Sequence, residues 1–199
     1  MESWCFQSDR LRKLRITYID AGPQAQVLNS LWYPCPELDL PVLGLDLLSF
    51  GQKKLCVIDI QPLPYAREKH HELVRPLEAV RAQYPLFLGS KSDKIYSEDL
   101  FFSPSMHFGR FKDAEEVENT LFPVFKEYVD FYVNMLNECE RNPDPEMVKK
   151  VLSGQRDYDQ YNSERDPAIG LFKSYYGADF ANSYVYDFLF TSAVPTHTV

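Results

Sequence analysis

A lone carboxylate, Asp46, interrupts the otherwise apolar run Leu40-Pro41-Val42-Leu43-Gly44-Leu45-Asp46-Leu47-Leu48-Ser49-Phe50. The run has the length of a strand and reads as buried on both faces. An acid there loses its hydration with no cation beside it in sequence, so burial raises its pKa and can keep it protonated near neutral pH. A protonated buried acid is the starting state of a proton-transfer catalyst. A structural aspartate, bonded to backbone or internal water, is the other reading. Asp59, between Ile58 and Ile60, is a second acid in an apolar strand. Whether it shares a face with Asp46 depends on hairpin register, because a one-residue slip turns every side chain over. A third acid, Asp166 in Ser163-Glu164-Arg165-Asp166-Pro167, stands at a helix start with Pro in the first helical position, and local sequence reads it as an N-cap.

Several other chemistries have no support. There is no G-x-G-x-x-G or G-x-x-x-x-G-K-[ST] stretch for a dinucleotide or nucleoside triphosphate, and no G-x-S-x-G elbow. Cys5, Cys35, Cys56 and Cys139 form no C-x-x-C pair and read as separate thiols of a reducing compartment. His70, His71, His107 and His197 make no H-x-x-x-H or H-E-x-x-H pattern, so no protein metal site is expected.

The elements that must position these acids begin with a β meander. Strands are predicted over Leu11–Asp20, Gln26–Tyr33, Val42–Phe50 and Lys54–Gln61, with turns at Ala21-Gly22-Pro23 and Gly51-Gln52 and prolines closing the second and fourth. Links this short favour antiparallel pairing. A helix is predicted over His70–Tyr84, a surface loop over Gly89–Glu98 and a fifth strand over Ser105–Phe111. Asp113 offers an N-cap for a long helix toward Cys139, whose stripe Val117, Leu121, Val124, Phe125, Val129, Tyr132 and Leu136 steps by three and four, with a kink at Pro123. Further helices are predicted over Glu146–Leu152, Pro167–Tyr176 and Ala178–Phe190. Sheet first and helices after is the α+β order, with helices laid against an antiparallel sheet.

At 199 residues the chain is expected to form one domain with a real core. Its 14 Phe, 13 Tyr and 2 Trp suit a pocket for a large flat ligand, or a conventional core with Tyr at its rim. The net charge of −8 argues against nucleic acid as the main partner, since phosphate binding needs clustered cations. No apolar stretch reaches the ~20 residues that span a bilayer. No signal or transit segment opens the chain, and the short start leaves open that one has been removed.

From Trp4 to Phe190 the chain resembles the ferredoxin-dependent bilin reductases. The resemblance is carried by Val27-Leu28-Asn29-Ser30-Leu31-Trp32-Tyr33-Pro34, Asp39-Leu40-Pro41-Val42-Leu43-Gly44-Leu45-Asp46-Leu47 and Val57-Ile58-Asp59-Ile60-Gln61-Pro62. It continues through Phe102-Ser103 with Arg110, Glu164-Arg165-Asp166-Pro167, Gly170-Leu171-Phe172 and Asp187-Phe188-Leu189-Phe190. Within the family the chain is most similar to the A-ring reductases, first the phycoerythrobilin-forming branch and second the phytochromobilin-forming one. The phycocyanobilin-forming branch carries Glu and His on its first two matched strands, where Thr17 and Asn29 stand here. The family's longer N-terminal segment is missing, which implies a trimmed bilin reductase domain over 1–199.

The resemblance implies an α/β/α sandwich: a central antiparallel β-sheet flanked by helices on both faces, holding an open-chain tetrapyrrole between the sheet and the C-terminal helices. It implies no cofactor bound in the protein, with electrons from a reduced [2Fe-2S] ferredoxin. Two rounds of electron and proton transfer would reduce the A-ring diene of 15,16-dihydrobiliverdin to phycoerythrobilin, with Asp46 and Asp166 as proton donors. A-ring reduction of biliverdin, or a non-catalytic bilin carrier, is the alternative. Asn29 is expected to bond lactam oxygens or a bound water, or else to be a mid-strand polar residue facing a helix. Ser103 is expected at the substrate. Arg110 is expected to anchor a propionate bidentately, with Lys54 as a weaker choice or a solvated strand-end lysine. Arg10, Arg12, Lys13 and Arg15 are the densest basic cluster and the expected docking face for acidic ferredoxin, or else a solvated strand edge. The expected partners are the bilin, ferredoxin and an upstream bilin reductase handing over substrate, with no nucleic acid and no membrane span. The expected compartment is a plastid stroma in a eukaryote, or the cytoplasm in a bacterium or virus.

Overall fold

The computed structural model describes residues 1–84, 101–111, 113–166 and 168–195. The predicted loop over 89–98 and His197 lie outside them.

Among the described residues, six strands form one antiparallel sheet whose spatial order is the chain order: β1 (Glu2–Phe6), β2 (Leu11–Asp20), β3 (Gln26–Pro34), β4 (Val42–Phe50), β5 (Lys53–Gln61) and β6 (His107–Phe111). Short links impose this meander, since each strand must pair with the one before it. β2 and β4 have the predicted bounds, and β3 and β5 are each one residue longer. β1 is the strand that sequence missed. Its residues are mostly exposed and it pairs only with β2, so no buried face marks it with an alternating pattern.

Helices cover both faces. Against one pack α1 (Arg67–Val74), α2 (Leu77–Gln83) and α4 (Phe122–Glu138), around a core that includes Leu43, Leu45, Ile58, Ile60, Tyr128 and Tyr132. Against the other pack α5 (Pro145–Arg165), α6 (Ala168–Tyr176) and α7 (Ala178–Ser183), with Val27, Leu31, Tyr33, Val42, Tyr158 and Phe172. Neighbouring residues of a strand enter opposite cores: Val42 joins the second and Leu43 the first. That is the two-sided burial read from the apolar run.

The helix predicted over His70–Tyr84 is two helices divided at Arg75-Pro76, because a proline cannot donate its backbone nitrogen. Asp113 caps α3 (Ala114–Glu116) as expected, its carboxylate accepting from the Glu116 N–H at 2.9 Å. The irregularity expected at Pro123 is a π-helical turn over Val117–Leu121, with Pro123 in the first turn of α4. The helix predicted to end at Leu152 runs on as α5 to Arg165. Its buried face there uses Gln155, Tyr158, Asp159 and Ser163, polar residues that hide the apolar period. They are buried because they are bonded: Tyr33 donates to Asp159 at 2.7 Å, and Gln155 Nε2 donates to the Pro34 carbonyl at 3.1 Å. The predicted Ala178–Phe190 helix passes from α7 into a second π-helical turn over Tyr184–Leu189.

Candidate active site

Antiparallel register aligns Thr17, Asn29, Asp46, Val57 and Phe108 in one row across β2 to β6. The adjacent row on the same face is Arg15, Leu31, Gly44 and Asp59. Asp46 and Asp59 therefore share a face, the point sequence left open. They part in role. Asp59 is fully buried and held by the Ser103 N–H at 2.8 Å and the Ser103 hydroxyl. Asp46 opens on a cavity.

That cavity holds about 520 Å³ between the sheet and the C-terminal helices. The size lies within the ~300–1,000 Å³ of small-molecule sites. The sheet contributes Arg15, Asn29, Asp46 and Arg110, and the opposite wall Asn162 and Asp166. Gly44 lines it as well, where a Cβ would come within 2.7 Å of Gln61 Oε1. Gln61 accepts from the Tyr158 hydroxyl, so the glycine keeps both the cavity floor and this bond in place.

Burial drives the electrostatics. It raises the Asp46 pKa from 3.8 to about 7, with the Asp166 charge adding to the rise, and the Asn29 hydrogen bond and Arg15 opposing it. Asp166 is also raised by burial, against the Ala168 N–H, which donates to it at 2.8 Å, and against Arg15. Asp166 bonds the first turn of α6, as the N-cap reading expects, and it also lines the cavity opposite the sheet. Two like charges in one low-dielectric space disfavour joint ionisation, so a proton is retained near neutral pH. Such a pair can donate protons to a ligand between them.

Asn29 donates its amide to Asp46 and accepts from Arg15, so its side chain is fixed between an acid and a cation. Thr17 stands beside it on β2 with its hydroxyl 2.7 Å from that of Tyr184.

Three of the expectations for binding residues need correction. Ser103 is buried against Asp59 and does not line the cavity. Lys54 is also absent from its wall: Leu55 and Val57 face the cavity, so the alternation of β5 turns Lys54 to the other face with Cys56 and Ile58. Half of the basic cluster is closed to a partner, while Arg10 and Arg12 stay partly exposed. Arg15 and Lys13 are 0% and 8% exposed, and Lys13 donates to the carbonyls of Phe188 and Leu189 at 2.7 and 3.2 Å. Burial lowers the Lys13 pKa to about 8, helped by Arg15. Arg12, at a bulge in β2, donates to Gln155 and lies 4.7 Å over the Tyr33 ring, while Arg10 donates to the Cys139 carbonyl at 2.8 Å. The physical reason is the sandwich itself. In β2 the covered face carries Lys13, Arg15 and Thr17, and the alternate residues from Leu14 to Asp20 are partly or fully exposed.

Sequence reasoning assigned Arg15 to the surface and missed Asn162 as a cavity residue. The signal available for Arg15 was its period-two spacing with Lys13 and Thr17, which puts all three on one face of β2. Among the described residues no group of three or more His, Cys, Asp or Glu side chains could hold a metal ion, and no helix is long and apolar enough to cross a membrane.

The family profile "Ferredoxin-dependent bilin reductase" matches residues 1–191. The chain is 42% identical to the 15,16-dihydrobiliverdin:ferredoxin oxidoreductase of Nostoc punctiforme over 196 residues, 98% of this chain and 80% of the relative. It is 41% identical to the protein of the same name from Gloeobacter violaceus, again over 98% of this chain and 80% of the relative. Among solved structures it is similar to phytochromobilin synthase from tomato in complex with biliverdin, with a TM-score of 0.83 and 24% identity, covering all of this chain and 72% of that one. At that identity the likeness establishes the fold.

Proposed function

The chain belongs to the ferredoxin-dependent bilin reductases, and from that premise we propose that it reduces the 15,16 double bond of biliverdin, giving 15,16-dihydrobiliverdin. In a donor:acceptor name the reduced compound stands first. When ferredoxin supplies the electrons, the 15,16-dihydro compound of the relatives' name is the product and the bilin two electrons more oxidised is the substrate. Two reduced ferredoxins each give one electron, and two protons complete the addition across one double bond. Each electron makes the conjugated bilin more basic, so protonation follows reduction. Asp46 supplies a proton from the sheet side and Asp166 from the helix side, while Asn29 orients Asp46 and Arg110 pairs with a propionate. The observation that supports this reading is the pair Asp46 and Asp166, raised in pKa by burial and lining one cavity from a strand and from a helix start.

A-ring reduction of 15,16-dihydrobiliverdin to phycoerythrobilin is the second reading, favoured by the sequence segments that resemble the A-ring branch. The same two acids would serve it, and the substrate would then come from an upstream bilin reductase. An anaerobic assay with reduced ferredoxin, offering biliverdin and 15,16-dihydrobiliverdin separately, tests both. Consumption of biliverdin with accumulation of the dihydro compound supports the first reading. Consumption of the dihydro compound alone replaces it with the second.

A further inference from the structure

Arg15 is a buried cation with most of its donors idle. Its side chain is fully enclosed on β2, and its guanidinium carbon lies 5.4 Å from the centroid of the Phe190 ring. Among the described residues Nη1 donates to Asn29, Nε and Nη2 have no hydrogen-bond partner, and no acid forms an ion pair with Arg15. The residue lines the cavity beside Asn29 and Asp46. Removing a guanidinium from water without pairing it is costly, and a fold that stabilised only itself would place an apolar residue here. Nε and Nη2 are shielded from water while the cavity is empty, so an acceptor that arrives with the ligand meets them as the guanidinium turns toward it.

We propose that Arg15 is a substrate-binding residue that donates Nε–H and Nη2–H to a terminal lactam oxygen of the bound bilin, holding the negative charge that each incoming electron places there. The inference rests on the bilin reading above and adds a residue to it. An electron from ferredoxin enters the conjugated system without breaking a bond, and the charge it brings concentrates on the electronegative lactam oxygens. Once seated on the ligand, the guanidinium stabilises that oxyanion without further reorganisation, so it favours the reduced state over the ground state. Proton delivery from Asp46 or Asp166 then neutralises the charge. Through Asn29 the same cation is tied to Asp46, so the group receiving charge and the group supplying the proton have a common anchor.

The test compares wild type with Arg15→Met and Arg15→Lys, using biliverdin and its dimethyl ester as probes. Without ligand, Arg15→Met should melt at or above wild type, because an unpaired buried charge has been replaced by apolar atoms. Its affinity for biliverdin should fall by roughly 10- to 100-fold, as for loss of hydrogen bonds from a charged donor. The fall should be the same for the dimethyl ester, whose propionates are capped. Single-turnover reduction should slow by a larger factor than binding weakens, and Arg15→Lys should recover part of both. A ligand-free Arg15→Met that melts well below wild type yet binds and reduces biliverdin within twofold of it would overturn the proposal in favour of a purely structural residue. A loss that disappears with the dimethyl ester would overturn it in favour of a propionate contact. If wild type binds biliverdin but reduces no bilin, the functional reading falls, and the affinity comparison alone then decides for or against Arg15 as a ligand contact.

Discussion

Asn29 and Asp46 face each other as directly paired residues of β3 and β4, and the Asn29 amide donates to the Asp46 carboxylate. The amide oxygen is occupied by Arg15, so Asn29 cannot turn over without breaking both bonds. This clamp opposes the rise that burial imposes on Asp46 and leaves its pKa at about 7, close to where a general acid works best.

Asp46→Asn keeps the shape of the side chain and removes the proton. Turnover with reduced ferredoxin should fall by ~10²–10⁴-fold, the usual contribution of a general acid, while biliverdin binding measured by absorbance stays within a few fold. Near-normal turnover would reject Asp46 as a donor.

Asn29→Leu removes the bond that holds the Asp46 pKa down. A general acid is active while protonated, so the rate falls as pH rises through that pKa. In the variant this alkaline limb should move to higher pH, which a pH–rate profile from pH 6 to 9 reads directly. A limb that stays in place would assign the titration to another group.

The raised pKa of Asp46 also marks stability. Between the ordinary 3.8 and about 7 the unfolded chain releases this proton before the folded one does, so stability is full at the acid end of that window and is lost toward neutrality. Urea unfolding at pH 5 and pH 8 should show a smaller loss for Asp46→Asn than for wild type. Equal losses would mean that the folded carboxyl ionises as it does in water.

Gly44→Ala places a Cβ within 2.7 Å of Gln61 Oε1 and 3.3 Å of a Leu31 methyl. Gln61 must move and leave the buried Tyr158 hydroxyl, at a cost of ~1–3 kcal/mol. Both the melting temperature and the affinity for biliverdin should drop, since floor and bond fail together. Unchanged affinity would place the ligand away from this stretch of β4.

Ser103→Ala separates structure from binding. Losing the hydroxyl removes a bond from buried Asp59, so stability should fall by ~1–3 kcal/mol while biliverdin affinity and turnover stay as in wild type. Lys54→Met, on the far face of β5, should change neither affinity nor turnover. A binding defect in either variant would return that residue to the site.

Much of the sheet was legible because the strand-length runs of β2 to β5 are bounded by Gly and Pro turns that leave little choice of pairing. Asp46 was legible for the same reason, as a charge where the pattern allowed none. Asp166 looked like a cap, and it bonds a helix start; only the packing of α5 and α6 against the sheet reveals that it also reaches a cavity. The basic residues of β2 misled, because charge was read as exposure. On the face of β2 that the C-terminal helices cover that rule fails, and Arg15 and Lys13 are held inside by Asn29 and by the carbonyls that end the second π-helical turn. The length of α5 was hidden because its inner face is built from Gln155, Tyr158 and Asp159 rather than aliphatics.

Spatial order that follows chain order has a consequence for synthesis. Strands β1 to β5 can zip together as they leave the ribosome, since each needs only the strand made just before it. Asp46 is therefore in position long before Asp166 is translated, and the two acids meet only when α5 and α6 dock. A nascent chain stalled before α5 would carry only the sheet wall of the cavity, open to water, and the closed cavity would arrive in a single late event.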